Sequence, residues 1–172
     1  MNMKHDYNIL IYGYGNPGRQ DDGLGDALIG RLENWPDLNG YEQVTVDVNY
    51  QLQVEDAILL QDKDLVIFVD ASMAEEVEDI AFEPVEVDHR ASFTMHAISP
   101  GYLLAMCRKM YGNHPPAYIL HIRGYEWGIN EPITDAAREN LDKAWNLLKE
   151  IIREPEKLDA NHAYMTAKKV TG

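Results

Sequence analysis

A single cysteine, Cys107, rules out an internal disulfide framework and any zinc site built from several thiolates. Basic residues are also scarce: 15 lysines and arginines face 29 aspartates and glutamates, for a net charge of −14. Clustered Lys and Arg supply most of the affinity for a phosphate backbone, so no nucleic-acid partner is expected. An anionic membrane surface would repel the chain as well. No apolar run approaches the roughly 18 residues of a membrane-spanning helix, and the opening MNMKHDYNIL lacks the apolar stretch of a signal peptide. Repeats, low-complexity blocks and Gly/Ser/Pro linkers are missing too. The expectation is a soluble, acidic, cytoplasmic protein with one domain over residues 1–153 and a polar tail, 154–172, left unassigned. With 172 residues, 45% of them hydrophobic, the chain can bury a core of ordinary size.

The apolar residues that are present fall into alternating periods. Asn8 to Tyr14 reads as a buried strand ending in glycines, and Leu24, Leu28, Leu32 and Trp35 recur at helical spacing until Pro36. Glu42 to Val48 alternates like a strand. Val54, Ala57 and Ile58 mark a short helix before Leu65 to Val69, which is apolar on both faces, as a central parallel strand is. A further strand between Asp79 and Val87 follows after only about nine residues. That is too few for a parallel crossover, so it should run antiparallel. Ser99-Pro100 opens a helix whose inward face is read as Leu103, Met106, Cys107 and Met110. Ala117 to Ile122 is the last strand, and Thr134 caps a helix with Ala137, Leu141, Ala144, Leu148 and Ile151 inward. Strand and helix alternate through most of the chain, which defines an α/β fold with a mostly parallel sheet covered by helices. Ligands of such sheets bind beyond the carboxyl ends of the strands.

The loop after the first strand reads GYGNPGRQDDGLG from Gly13 to Gly25. Gly13, Gly15 and Gly18 fit a G-x-G-x-x-G pattern, but the surroundings oppose a dinucleotide. Pro17 removes an amide, Asp21 and Asp22 stand where a phosphate would sit, and Asp47 lies 29 residues after Gly18, beyond the usual ribose-acid spacing of about 20. No nucleotide cofactor is expected. Two adjacent carboxylates in a glycine-rich turn suit a cation instead, although either could merely cap the following helix.

Two further candidates reach the same sheet edge. Asp70 directly follows LVIFV, where an ionised carboxylate loses hydration and needs a metal, an arginine or backbone amides such as those of the Ala71-Ser72 turn. His96 sits in the loop before the Ser99 cap. Asp22, Asp70 and His96 together would offer two carboxylates and one imidazole to a borderline divalent ion such as zinc, nickel or iron. The other histidines fall in the chain ends, in polar loops or, for His121, in the last strand, where packing is the simpler role. Cys107 on an apolar helix face reads as a small buried hydrophobe.

With these residues identified, the stretch from Asn8 to Ile152 closely resembles the hydrogenase maturation proteases, which process the large subunit of nickel-iron hydrogenases. GYGNPGRQDDGLG is similar to the opening signature of that family, LVIFVDAS to its central strand ending in aspartate, and FTMHAISPGYLLAM to its histidine segment and the helix after it. The resemblance implies a three-layer α/β/α domain around a five-stranded, mostly parallel twisted sheet with one antiparallel strand. It implies an endopeptidase that removes a C-terminal extension from a hydrogenase large-subunit precursor after nickel insertion. It places the catalytic, metal-contacting roles on Asp22, Asp70 and His96, with Asp21 supporting the loop. The divalent metal is then nickel carried by the substrate. Gly124-Tyr125-Glu126-Trp127-Gly128 aligns only loosely with the family, and no role is assigned there.

The chain contains no H-E-x-x-H helix of an ordinary metalloprotease. Recognition of metal already held by the substrate, with a coordinated water as nucleophile, is therefore favoured over a resident hydrolytic metal. The alternative in another class is a non-catalytic metal- or partner-binding module on the same scaffold.

Overall fold

β1 (Ile9–Tyr14) is the apolar run of the sequence, buried over all but its last residue. A 3-10 turn over Gln20–Gly23 leads into α1 (Leu24–Glu33). β2 (Val44–Asn49), α2 (Ala57–Leu60) and β3 (Leu65–Ser72) follow, then β4 (Ile80–Pro84), α3 (Pro100–Tyr111), β5 (Ala117–Arg123), α4 (Asp135–Arg153) and α5 (Glu156–Ala160). The computed structural model describes residues 6–90 and 98–160.

The five strands order as β2-β1-β3-β5-β4. Every neighbouring pair is parallel except β4–β5, whose antiparallel register pairs Phe82 with Leu120. The short β3–β4 connection accounts for this: it cannot hold a crossover, so β4 runs opposite to β3 and therefore to β5, which is parallel to β3. Period-two alternation splits the core between the two sheet faces. Ile9, Ile11, Ile67 and Val69 pack against α1 and α4, whereas Leu10, Tyr12, Val66 and Phe68 pack against α2 and α3. The result is the three-layer α/β/α arrangement with one antiparallel edge strand.

α4 buries Ala137, Leu141, Ala144, Leu148 and Ile151, as its spacing predicts, and Thr134 caps it by accepting the Ala137 amide. Each buried Leu or Ile there contributes about 1.5–3 kcal/mol. Past Arg153 the chain turns back so that Leu158 enters the same cluster. Ser99 caps α3 through the Tyr102 amide at 3.1 Å. The inward face of α3 differs from the sequence reading at its end: Met110 is exposed, and Leu104 is buried beside Leu103 and Cys107. The stripe follows positions 104, 107 and 111, and Gly112, with φ +88°, ends the helix directly after Tyr111.

β1 and β3 are neighbours, but their outgoing loops diverge, one towards α1 and the other towards β4. Such a point in a parallel sheet opens a crevice beyond the strand ends, which is where doubly wound proteins hold ligands. No helix among the described residues is long and apolar enough to cross a membrane.

Candidate active site

The glycine loop folds over the β1 end of this crevice. Gly15 has φ +137°, and a Cβ there would lie 2.2 Å from the carbonyl oxygen of Asp22, so only glycine permits the close return of the chain. That return brings the Asp22 carboxylate to the Asn16 amide, which donates to Oδ2 at 2.8 Å. The Asn16 side chain in turn accepts the Gly18 amide at 2.8 Å, and its carbonyl accepts the Arg19 amide at 3.0 Å. Gly15 donates its amide to Asn49. The amides of Gly15, Asn16, Gly18 and Arg19 are thus all engaged within the protein, and the loop has no nest of free N–H groups to offer a pyrophosphate. Close packing accounts for Gly13 and Gly25: a Cβ on Gly25 would stand 2.7 Å from the Tyr14 carbonyl and 3.0 Å from that of Val69. α1 starts from Gly23 with no side-chain cap, so neither Asp21 nor Asp22 serves as its N-cap.

The two acids have separate tasks. Asp21 is fully buried and accepts the Tyr125 amide at 2.8 Å and the Glu126 amide at 3.1 Å on Oδ2, and the Thr134 amide at 2.8 Å on Oδ1. The Thr134 hydroxyl donates to Oδ2 at 2.9 Å. Burial alone would raise its pKa, but these donors outweigh burial and hold the carboxyl below the ordinary aspartate range. Asp21 is therefore the pin between the glycine loop and the segment that leads from β5 to α4. Gln20, which carries φ +50°, adds a second pin: its side chain donates to Glu126 and accepts the Gly128 amide. The Gly124–Gly128 segment, which carries no role in the sequence reading, is the wall against which the loop is clamped.

Asp22 remains near the crevice and is coupled to Asp70. Asp70 lies two residues before the end of β3, half-buried within the strand rather than hanging from its edge. Burial pushes its carboxyl from the ordinary 3.8 up to about 7. The Tyr14 hydroxyl and the Ala71 amide pull the other way, while the charge of Asp22 raises it further. The register explains the Tyr14 contact: Gly13 pairs with Val69, so the next residues, Tyr14 and Asp70, share a face. Burial and Asp70 together raise the Tyr14 hydroxyl well above its usual value, so it stays a hydrogen-bond donor. Tyr14 was not among the sequence candidates. Its strand-end position and parity with Asp70 were the available signal, but the register that joins them is tertiary. No lysine or arginine among the described residues pairs with Asp70.

His96 lies outside the described residues, so the structure brings together two of the three predicted donors. Among the described residues no group of three histidine, cysteine or acidic side chains is close enough to hold a metal. His121 faces Asp70 across the β3–β5 register. Cys107 is buried, its thiol donating towards the Asn113 carbonyl, and burial raises its pKa, which suits packing and not nucleophilic attack.

An α/β/α sheet of this topology has counterparts among solved structures. The NiFe hydrogenase maturation protease HycI from Thermococcus kodakarensis KOD1 superposes with a TM-score of 0.66 at 20% identity, over 86% of this chain and 93% of that one. The hydrogenase maturating endopeptidase HybD from E. coli gives 0.67 at 17% identity over the same shares. The hydrogenase 2 maturation peptidase from a Thaumarchaeota archaeon gives 0.61 at 18%, over 84% of this chain and 97% of that one. No protein-family model and no curated protein matches the sequence. The chain has the fold of the hydrogenase maturation proteases.

Proposed function

We propose that this protein is an endopeptidase that removes the C-terminal extension of a nickel-iron hydrogenase large-subunit precursor once nickel has been inserted. The observation that carries the reading is the pair Asp22 and Asp70 at the β1/β3 crevice. Asp70 is half-buried and desolvated beside a second acid, with no cation paired to it among the described residues. An ionised carboxylate in that setting calls for a positive charge supplied from outside. A nickel centre on the substrate brings it, and at the same moment distinguishes a loaded precursor from an empty one.

In this reading Asp22 and Asp70 contact the substrate's nickel, and His96 supplies the third donor, an imidazole nitrogen. The contact fixes the adjoining peptide bond over the crevice, so that a water on the metal side attacks the scissile carbonyl. The Tyr14 hydroxyl holds the Asp70 carboxylate in one orientation. Asp21 and Gln20 keep the glycine loop, and with it Asp22, at a fixed height above the sheet. On this reading the protein acts in the cytoplasm.

The test is to incubate the protein with nickel-loaded and nickel-free precursor and weigh the products by mass spectrometry. Loss of a C-terminal peptide from the loaded form alone is the expected result. A stable complex with the loaded precursor and no shortening would identify a binding module instead.

A further inference from the structure

Three of the large apolar side chains exposed among the described residues stand on segments at the carboxyl edge of the sheet: Met73 is 68% exposed, Tyr125 44% and Ile129 76%. They stand on the segments that leave the carboxyl ends of β3 and β5, adjacent strands of the sheet. The two segments are built as one surface. Gly124 donates its amide to Ser72 at 2.9 Å, Arg123 donates its own to Asp79 at 2.8 Å, and the Arg123 guanidinium bonds the Ala74 carbonyl while lying 5.5 Å from the centre of the Tyr125 ring. Ile129 is held between two anchors, the Gly128 amide on Gln20 and the Asn130 amide on Gly18 at 2.9 Å. The positive φ of Asn130, +56°, turns the chain directly after Ile129.

Acidic residues outnumber basic ones around this surface. Glu75, Glu76 and Glu131 are exposed beside Met73 and Ile129. Two nearby cations are turned to internal partners, Arg123 as above and Lys143 onto Asp79 at 2.7 Å, while Arg19, between the Gly18 and Gln20 anchors, is exposed. Exposed apolar tips within an acidic frame suit a protein surface of opposite pattern, an apolar contact edged with Lys and Arg. We propose that Met73, Tyr125 and Ile129, framed by Glu75, Glu76 and Glu131, dock the folded body of the precursor, so that the substrate is held by its surface as well as by its metal and its tail. This rests on the function proposed above and adds the partner's chemistry to it: a basic-edged apolar patch close to the metal centre.

Two double variants test the proposal, Met73→Ser with Ile129→Ser, and Glu75→Lys with Glu76→Lys. All four side chains are exposed, so both variants should melt at the wild-type temperature. Processing of nickel-loaded precursor should show a KM about tenfold higher with kcat unchanged, and binding of that precursor to immobilised protein should weaken in parallel. The charge variant should also lose the salt dependence of association. Wild-type KM and affinity in both variants would overturn the docking surface while leaving the proposed activity intact, and so would a loss confined to kcat. If the wild type binds the loaded precursor without cutting it, and the variants bind more weakly, the docking surface stands and the protease reading falls. Wild-type protein that neither binds nor cuts that precursor overturns both.

Discussion

Asp70→Asn should stabilise this protein while abolishing its activity. Desolvation pushes this carboxyl up to about 7 in the folded state against an ordinary 3.8. Between those values the native state holds a proton that the unfolded chain has released, so stability falls as pH rises through that window. Below about pH 4 both states are protonated and nothing is lost. Above about pH 7 the full difference applies, worth about 4 kcal/mol at the usual 1.36 kcal/mol for each pH unit. Asparagine has nearly the same shape, its carbonyl still accepts from the Tyr14 hydroxyl, and it carries no charge for Asp22 to oppose. The variant should therefore match the wild type near pH 4 and exceed it by up to about 4 kcal/mol at pH 8, a rise of about 10 °C in Tm for a domain of this size. Urea titrations of metal-free protein at several pH values, with both chains in the same buffers, would measure it. Parallel stability curves for the two proteins would refute the claim that Asp70 is held ionised at a cost. A widening gap together with lost processing would mark Asp70 as a site where stability is given up for function.

Asp21 has the opposite sign. Its depressed pKa means that its contribution is present above about pH 4 and fades as acid titrates the folded carboxyl. Asp21→Ala leaves three amides and a hydroxyl without their acceptor and should cost about 3 kcal/mol in thermal or urea unfolding. Asp21→Asn should fare little better, because its amide points a donor at other donors, and a wild-type melt for that isostere would contradict the clamp. Gly15→Ala forces a Cβ into the Asp22 carbonyl, so processing should drop at least tenfold, measured as released peptide, with Asp22 displaced. Gly25→Ala meets the backbone of both β1 and β3 and should cost about 1–3 kcal/mol, seen as a lower urea midpoint. His96→Ala should abolish processing of loaded precursor with little change in Tm, and wild-type processing should decline in acid, first as Asp70 takes up its proton near pH 7 and then below about pH 6 as the imidazole protonates. Full activity at pH 5 would remove His96 from the ligand set.

Much of the architecture is legible in the residues because it depends on local periods. The apolar runs at Ile9–Tyr14 and Leu65–Val69, the caps Ser99 and Thr134, and the α4 stripe each satisfy a short-range rule about burial or an unpaired amide. Even the antiparallel β4 follows from the length of a connection. Met110 was misplaced because a helix stripe can be rotated by one position without changing its period, and only packing against the sheet fixes the rotation.

The division within the site runs along the same line. The sequence alone determined that glycines and two acids would share a tight turn, that an aspartate would end an apolar strand, and that the carboxyl edge of a parallel sheet would present them. Each of these is a matter of neighbours along the chain. Only the tertiary structure decided that Asp21 faces inward to hold the β5–α4 segment while Asp22 stays near the crevice, since adjacent side chains part according to what packs around the turn. Only the register of β1 on β3 put the Tyr14 hydroxyl on Asp70, and only its partial burial moved the titration of that carboxyl towards neutrality, because desolvation is a property of the surroundings and not of the residue.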